Sequence, residues 1–287
     1  MIPGAFDYHR PKNLNEAIGL LNDLGEDARA IAGGHSLIPM MKMRLASPSH
    51  LIDLRGLRDL NFIRVEGAEM VIGAMTTQHE VIGSAELAAK VPLLREAALQ
   101  IADPQIRYVG TIGGNVANGD PGNDMPAVMM CLNASYDIAG KGGTRRVAAR
   151  EFYQGAYFTA LEPGELVTAI RIPMPTAGHK AAYEKLKRKI GDYAIAAAAV
   201  LLSVSGGKVT GASIALTNVG ETPLLAADAA ALLVGQTPDK MLCRKAGQAA
   251  AAISDPASDA RGPVVYRRQM AGIMTERALI RALGLSA

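Results

Sequence analysis

A polar, glycine-rich run in the middle of the chain, residues 111–124 (TIGGNVANGDPGND), most constrains what this sequence can fold into. Two adjacent glycines open it, and two more glycines, a proline and several Asn and Asp residues follow. Glycine adopts positive φ at little cost and lets a ligand approach the backbone without interference from Cβ. An ordinary connection needs far fewer such residues, so the pattern predicts a ligand-binding loop.

A shorter segment of the same kind, AGGHS at residues 32–36, follows a predicted strand at residues 29–31. Ser36 is a suitable N-cap for a helix that we predict through residue 44. A strand, a glycine loop and a helix N-terminus direct backbone N–H groups and partial positive charge at one point, where anions bind. Taken alone, this segment is more typical of a strand-to-helix turn that binds no ligand.

The two glycine segments together predict paired backbone cradles for a diphosphate, because each phosphate accepts several backbone donors. Neither a P-loop Gly-Lys-Ser/Thr nor a Gly-x-Gly-x-x-Gly motif follows a predicted strand. The sequence therefore argues against both the P-loop and the dinucleotide-fold ways of holding phosphate.

Composition narrows the class of protein. Of the 287 residues, 49% are hydrophobic and 20% charged, which is typical of a folded globular chain. The net charge of +3 shows no basic face, so we expect no nucleic-acid partner. No apolar run is long enough for a transmembrane helix, and Asp7, His9 and Arg10 stand where a signal peptide would be apolar. The expected location is therefore cytoplasmic.

Cys131 and Cys243 are the only cysteines, and the five histidines show no metal-ligand spacing. An iron–sulfur cluster needs about four thiolates. We therefore expect neither a cluster nor any other metal site on this chain.

The predicted fold is α+β, in three parts: residues 1–56, residues 57–176 and residues 177–287. The first part is predicted to hold an amphipathic helix at residues 11–24, and the second a hairpin of strands at 62–65 and 70–74. A linker, PMPTAG at residues 173–178, precedes the third part. The third part is predicted to hold a three-stranded antiparallel sheet and a three-helix bundle: strands at 181–189, 194–205 and 208–218, and helices at 225–234, 240–253 and 264–283.

AGGHS, TIGGN and the NGDPGND that follows resemble the FAD-binding subunits of the molybdenum hydroxylase (xanthine oxidase) family. The flavin domain of that family is two-lobed and of the vanillyl-alcohol-oxidase (PCMH) type. FDYHRP near the start, KLKRKIGDYA at residues 185–194 and the Ala-rich third part are similar to the medium subunits of aerobic carbon monoxide dehydrogenases in this family. The resemblance covers essentially the whole chain.

The resemblance implies FAD as the cofactor and assigns most roles to the two glycine segments, which would wrap the diphosphate and ribityl with backbone donors. Asn118 would lie beside the diphosphate, Asp124 at the ribityl or ring edge, and Tyr193 over the isoalloxazine. The implied FAD-binding residues are Ala32, Gly33, Gly34, His35, Ser36, Ile101, Ala102, Thr111, Ile112, Gly113, Gly114, Asn115, Asn118, Asp124, Val167, Lys185 and Tyr193.

Three of these residues carry more specific implications. Lys185 would approach the polar edge of the ring, and Val167 would offer a backbone contact near its pyrimidine end. Ile101 stands beside Ala102 where animal relatives have an aromatic residue, so apolar contact rather than stacking would hold the adenine.

The resemblance also implies an oxidoreductase subunit with no catalytic residue of its own. A molybdenum cofactor on a large subunit would oxidise CO to CO2. The electrons would then pass through [2Fe-2S] clusters on a small subunit to FAD on this chain. A quinone would then accept them. The complex would be a dimer of heterotrimers, and peripheral association with the inner face of the cytoplasmic membrane stays open.

Several alternatives stay open at this point. Asp120 and Asp124 are equally suited to Asx-turns that cap the next helix. Without the resemblance, Tyr193 would be interpreted as a core residue. The charged residues at 185–189 suit a solvated strand face or a contact with a partner subunit. For function, the alternatives are the FAD subunit of another molybdenum hydroxylase, acting on an N-heterocycle or aldehyde, and a non-catalytic nucleotide-binding or assembly protein.

Overall fold

Residues 2–285 are described by a computed structural model, and they form three units, each built around its own sheet. Within this range no helix is both long and apolar enough to cross a membrane. The predicted α+β class is confirmed. The predicted boundaries after residues 56 and 176 fall between elements, and they stay predictions.

The first unit is a three-stranded parallel sheet with a helix packed on it. Its elements are β1 (Asp7–His9), α1 (Leu14–Leu24), β2 (Ala28–Ile31), α2 (Leu37–Lys42) and β3 (His50–Asp53). The side chain of Asn13 caps α1 by accepting from the N–H of Glu16 at 2.9 Å. Strand β1, which the sequence did not predict, pairs with β3, so β3 is central and β2 lies at the edge.

The middle unit is a five-stranded antiparallel sheet in the order β4-β5-β10-β6-β7, with helices on one face. The predicted hairpin at residues 62–74 is confirmed as the β4–β5 pair. The elements are β4 (Ile63–Glu66), β5 (Glu69–Gly73), α3 (Gln78–Gly83), α4 (Ala85–Lys90), α5 (Pro92–Gln100), α6 (Pro104–Arg107), α7 (Ile112–Ala117), α8 (Asp124–Cys131), β6 (Ser135–Gly140), β7 (Gly143–Ala148), α9 (Ala149–Phe152), β8 (Tyr153–Gly155), β9 (Phe158–Thr159) and β10 (Leu166–Pro173).

The third unit is an antiparallel sheet in the order β11-β12-β13-β14 with three helices. Its elements are β11 (Lys180–Leu186), β12 (Ala196–Ser205), β13 (Lys208–Thr217), β14 (Leu224–Leu225), α10 (Ala227–Ala231), α11 (Lys240–Ala252) and α12 (Val264–Leu283). The prediction of three strands was one short. Leu224 and Leu225, assigned in part to a helix, pair with β13 instead.

Strand β12 lies between two cores, which explains its run of alanines. Ala197 and Ala199 belong to the core of the middle unit, whereas Ala196 and Ala198 belong to the core under the helices of the third unit. Successive side chains of a strand point to opposite faces. Small residues on both faces let the middle unit and the helices approach the same sheet closely, so the third unit is packed firmly against the middle one.

Candidate functional site

The glycine-rich run is not the open loop that the sequence predicts, because its first part is helical. Thr111 is the N-cap of α7, and its Oγ1 accepts from the N–H of Gly114 at 3.1 Å. The N–H of Ile112 donates to Thr76 and that of Gly113 to Ala74, both at 2.9 Å. The predicted role of this segment as a source of free backbone donors is therefore wrong for residues 112–114.

The glycines are required here for close packing rather than for positive φ. A Cβ on Gly113 would lie 2.5 Å from the Cβ and the carbonyl oxygen of Ala74, at the end of β5. A Cβ on Gly33 would lie 2.6 Å from the carbonyl oxygen of Val109. Within the two pairs, only Gly34 has a positive φ, +76°. The structure thus brings the first glycine segment directly against the residues that lead into α7.

The first glycine segment offers the backbone donors that the second does not. Over the described part of the chain, the N–H groups of residues 33–36 donate to no protein acceptor. Ser36 stands at the N-cap position of α2, but its side chain makes no capping hydrogen bond, and the helix ends at Lys42 rather than at the predicted residue 44. His35 is exposed beside it. Successive unused N–H groups of this kind form an anion-binding concavity.

The second glycine segment offers its amide side chains. The Oδ1 of Asn115 and the Nδ2 of Asn118 are buried and have no hydrogen-bond partner among the described residues. The backbone carbonyl of Asn115 is held by the Nδ2 of Asn123 at 2.9 Å. Gly114 is exposed, and its Cβ position lies 3.5 Å from the Cβ of Ala32. Asn115 and Asn118 therefore follow the glycine that lies next to the first segment, and both have polar groups still to be satisfied.

Asp124 and Lys185, predicted for the same ligand, form a buried ion pair. The Nζ of Lys185 lies 2.7 Å from the Oδ2 of Asp124, and the side chains are only 1% and 5% exposed. The Tyr183 hydroxyl also donates to Asp124. Burial, followed by the negative charge of Asp124, raises the pKa of Tyr183 well above its usual value, so the phenol stays a donor. Asp124 is the first residue of α8 and makes no Asx-turn, so that alternative is wrong for it.

Three cations surround the C-terminal end of α5, which carries no basic residue in its own last turn. Lys185 and Lys187 donate to the backbone carbonyl of Gln100 at 3.3 and 3.4 Å, and Arg107 donates to that of Ile101 at 2.8 Å. Cations at a helix C-terminus are stabilised by its dipole. The interpretation of residues 185–189 as a wholly solvated face is therefore wrong for its first half.

The two residues proposed for the adenine follow this helix end. Ile101 is buried. Ala102 has a φ of +41°, which a non-glycine residue rarely adopts. Such strain often marks a functional site.

Tyr193 and Val167 lie at different depths. Tyr193 is 39% exposed, so it is not a core residue, and its hydroxyl donates to the Oδ2 of Asp120 at 3.0 Å. Asp120 does form an Asx-turn, because its Oδ1 accepts from the N–H of Gly122 at 2.8 Å.

Val167 is buried in β10 at a bulge in its pairing with β6, and α7 packs against that strand.

Two family models match the chain: residues 4–175 match the FAD binding domain in molybdopterin dehydrogenase, and residues 181–282 match the CO dehydrogenase flavoprotein C-terminal domain. The chain belongs to the FAD-binding flavoproteins of the molybdopterin dehydrogenases. The predicted family and the FAD cofactor are thereby confirmed.

Relatives in this family match over nearly the whole length. The carbon monoxide dehydrogenase medium chain of Afipia carboxidovorans is 66% identical over 98% of both chains. The structure of reconstituted CO dehydrogenase from Oligotropha carboxidovorans covers 100% of both chains at 65% identity, with a TM-score of 0.98. Quinoline 2-oxidoreductase from Pseudomonas putida 86 is 37% identical over 99% of both chains, with a TM-score of 0.94.

The residues present fit an FAD. The unused N–H groups of residues 33–36 suit its diphosphate. The second glycine segment lies beside the first, with the Cβ position of Gly114 3.5 Å from the Cβ of Ala32, and the free amide atoms of Asn115 and Asn118 suit its hydroxyl and phosphate oxygens. Sequence reasoning missed Gln100 and Asp120 as parts of the site. Gln100 meets its lysines across 85 and 87 residues, so no local signal in the sequence could have revealed it.

Proposed function

We propose that this chain is the FAD-binding medium subunit of a carbon monoxide dehydrogenase. It binds FAD, and the bound flavin would supply the redox chemistry that carries electrons from an iron–sulfur partner to an external acceptor, a quinone, during oxidation of CO to CO2. The observation that carries the FAD site is the set of unused N–H groups at residues 33–36 lying against the start of α7. Identity of 66% with a carbon monoxide dehydrogenase medium chain, against 37% with quinoline 2-oxidoreductase, favours CO as the substrate of the complex.

The residues of this chain bind and orient; none performs acid–base chemistry on CO. Residues 33–36 would hold the diphosphate, Asn115 and Asn118 the adjoining oxygens, and Ile101 with Ala102 the adenine. The Asp124–Lys185 pair would set the polar edge of the site, and Tyr193 and the backbone of Val167 would contact the ring. Because the Lys185 ammonium is neutralised by a buried carboxylate, the pair adds hydrogen-bonding groups without adding net charge.

The proposal places the other redox centres on partner subunits. Cys131 and Cys243 are both buried, and burial raises the pKa of the Cys131 thiol to about 12, so neither is a ready thiolate ligand. Over residues 2–285, no group of three or more acidic, His or Cys side chains is arranged to hold a metal ion. A large molybdenum subunit and a small iron–sulfur subunit supply these centres in a dimer of heterotrimers, which works in the cytoplasm or at the inner face of the cytoplasmic membrane.

The test is substrate-dependent bleaching of the flavin in the purified native complex. We expect CO, added without oxygen, to decrease the absorbance at about 450 nm, and quinoline or an aldehyde to leave it unchanged. Bleaching by quinoline or an aldehyde and not by CO would assign the chain to another molybdenum hydroxylase. A complex with no flavin absorbance would favour the nucleotide-binding or assembly protein.

A further inference from the structure

Tyr193 connects the third unit to the glycine-rich run of the middle unit through one side chain. Its hydroxyl donates to the Oδ2 of Asp120 at 3.0 Å. Its ring lies on Gly122, where an added Cβ would come within 2.8 Å of the ring carbon Cδ1. Tyr193 is therefore fixed at two points, although its side chain is 39% exposed.

Asp120 is itself held in place from the other side. Its second carboxylate oxygen accepts from the N–H of Gly122 at 2.8 Å, and Asn123 ties the same loop to the backbone of Asn115 at 2.9 Å. The orientation of Tyr193 is thus coupled through Asp120 to the helix that begins the proposed FAD site.

A cation lies over the face of the Tyr193 ring. The guanidinium carbon of Arg261 lies 5.6 Å from the centre of the Tyr193 ring, close enough for a cation–π interaction. Asp259 holds Arg261 at 2.6 Å. Burial, and then the negative charge of Asp120, raises the pKa of Tyr193, so the phenol remains neutral and donates to the carboxylate.

We propose that Asp120 is a positioning residue that holds Tyr193 at the mouth of the FAD site, and that this contact limits the access of oxygen to the flavin. The proposal rests on the function proposed above and deepens it. Asp120 touches neither substrate nor acceptor; it acts only through the tyrosine. If the contact breaks, the Tyr193 side chain is free to rotate toward solvent. Small oxidants then reach the isoalloxazine ring of the flavin more easily.

The test uses the native complex, reduced anaerobically and then mixed with oxygen or a quinone in a stopped-flow instrument. We expect Asp120→Ala and Tyr193→Phe each to speed reoxidation by oxygen about three- to tenfold, the size expected for loss of one partly exposed hydrogen bond. The double variant should match Asp120→Ala, since that single variant already removes the contact that Tyr193→Phe removes. Asp120→Asn should stay within about twofold of wild type, because its amide oxygen can accept from the N–H of Gly122 while its amide nitrogen donates to the phenol oxygen.

Two glycine substitutions provide a matched pair. Gly122→Ala should push the Tyr193 ring aside and reproduce the faster oxygen reaction without removing either hydrogen-bonding group. Gly142→Ala, at the β6–β7 turn with nothing within 4 Å of its Cβ position, should behave as wild type.

A second readout is the dissociation constant of FAD from the flavin-stripped protein, measured by flavin fluorescence. We expect both Asp120→Ala and Tyr193→Phe to raise it, and Asp120→Ala to raise it at least as much, because it also removes the hydrogen bond from the N–H of Gly122. The inference is overturned if Asp120→Ala leaves both readouts at wild-type values, or if the effects of the two single variants multiply in the double variant. A wild-type complex without flavin would instead overturn the proposed function, and this inference with it.

Discussion

At the scale of single residues, the buried pair of Asp124 and Lys185 is the most consequential interaction. It joins the first residue of α8 to strand β11 of the third unit, with both side chains almost fully removed from water. A buried charge that loses its partner is strongly destabilising, because the remaining charge cannot be solvated. The pair therefore supports both the fold and the site.

We predict that Lys185→Met lowers the free energy of unfolding by about 3–5 kcal/mol. Urea denaturation followed by circular dichroism measures this. Lys90→Met is the control, because Lys90 pairs with Glu86 at 3.0 Å on the surface of α4 and should cost only about 0.3–0.5 kcal/mol. Equal losses for the two variants would show that the Asp124–Lys185 pair is not desolvated.

A second prediction at this scale concerns pH and Asp53 of the first unit. Burial raises the pKa of this carboxyl, but hydrogen bonds from Arg55 and Tyr8 outweigh it, and the net pKa lies below the ordinary value. The ionised Asp53 carboxylate therefore stabilises the fold. This contribution to the free energy of unfolding is fully present above the unfolded-state pKa of about 3.9 and is lost as the pH falls through the lower, folded-state pKa.

We expect Arg55→Met to lose less free energy of unfolding than wild type when the pH falls from about 5 to about 2. Urea denaturation at several pH values measures this. Asp255→Asn is the control, since it removes an exposed carboxylate. If wild type and Arg55→Met lose the same free energy on acidification, Arg55 does not hold the carboxylate charged.

The sequence could not predict these residue pairs. Asp124 and Lys185 are 61 residues apart, and Tyr193 and Asp120 are 73 apart. Nothing in the spacing of a single sequence brings such positions together. Resemblance to the family indicated Asp124, Lys185 and Tyr193 as site residues, but it gave no indication that Asp124 is neutralised by Lys185.

At the scale of elements, α7 determines the shape of the site. It begins against the end of β5, and Gly113 permits this approach. Two adjacent glycines and nearby asparagines favour a loop by intrinsic propensity, so the sequence could not predict this helix. Backbone hydrogen bonds to Ala74 and Thr76, contributed by another part of the middle unit, overcome that propensity.

We predict that Gly113→Ala displaces α7 and weakens FAD binding, because its Cβ would lie 2.5 Å from Ala74. Overpacking of this kind costs about 1–3 kcal/mol. If the whole cost destabilises the FAD-bound state relative to the free protein, the FAD dissociation constant rises roughly five- to a hundredfold. Fluorescence titration of the flavin-stripped protein measures it.

Gly19→Ala is the matched control for that substitution. Gly19 lies in α1 with nothing within 4 Å of its Cβ position, and alanine is favoured over glycine inside a helix by about 0.5–1 kcal/mol. We expect a slightly higher melting temperature and unchanged FAD affinity. Weaker FAD binding in Gly19→Ala, or none in Gly113→Ala, would contradict the role given to the start of α7.

Elements with clear periodicity were predicted well, for a physical reason. The apolar face of α1 and the long helix α12 show the helical period, and the β4–β5 pair alternates as a hairpin does. The two-residue strand β14 and the edge strand β1 carry no such signal, because their pairing is decided by the neighbouring strand.

At the scale of the whole molecule, the third unit completes the site. Its sheet packs on the core of the middle unit with β12, and it contributes Lys185 to the end of α5 and Tyr193 to the glycine-rich run. Arg281 of α12 adds a further tie by contacting Glu96 of α5. The proposed FAD site therefore draws on residues of all three units.

The most direct test of this account is the flavin content of the native complex. We predict that denaturation of the purified assembly releases one FAD for each copy of this chain, measured by chromatography and by absorbance at about 450 nm. An assembly that is colourless and releases no isoalloxazine compound would contradict the central claim that the two glycine segments hold one FAD between them.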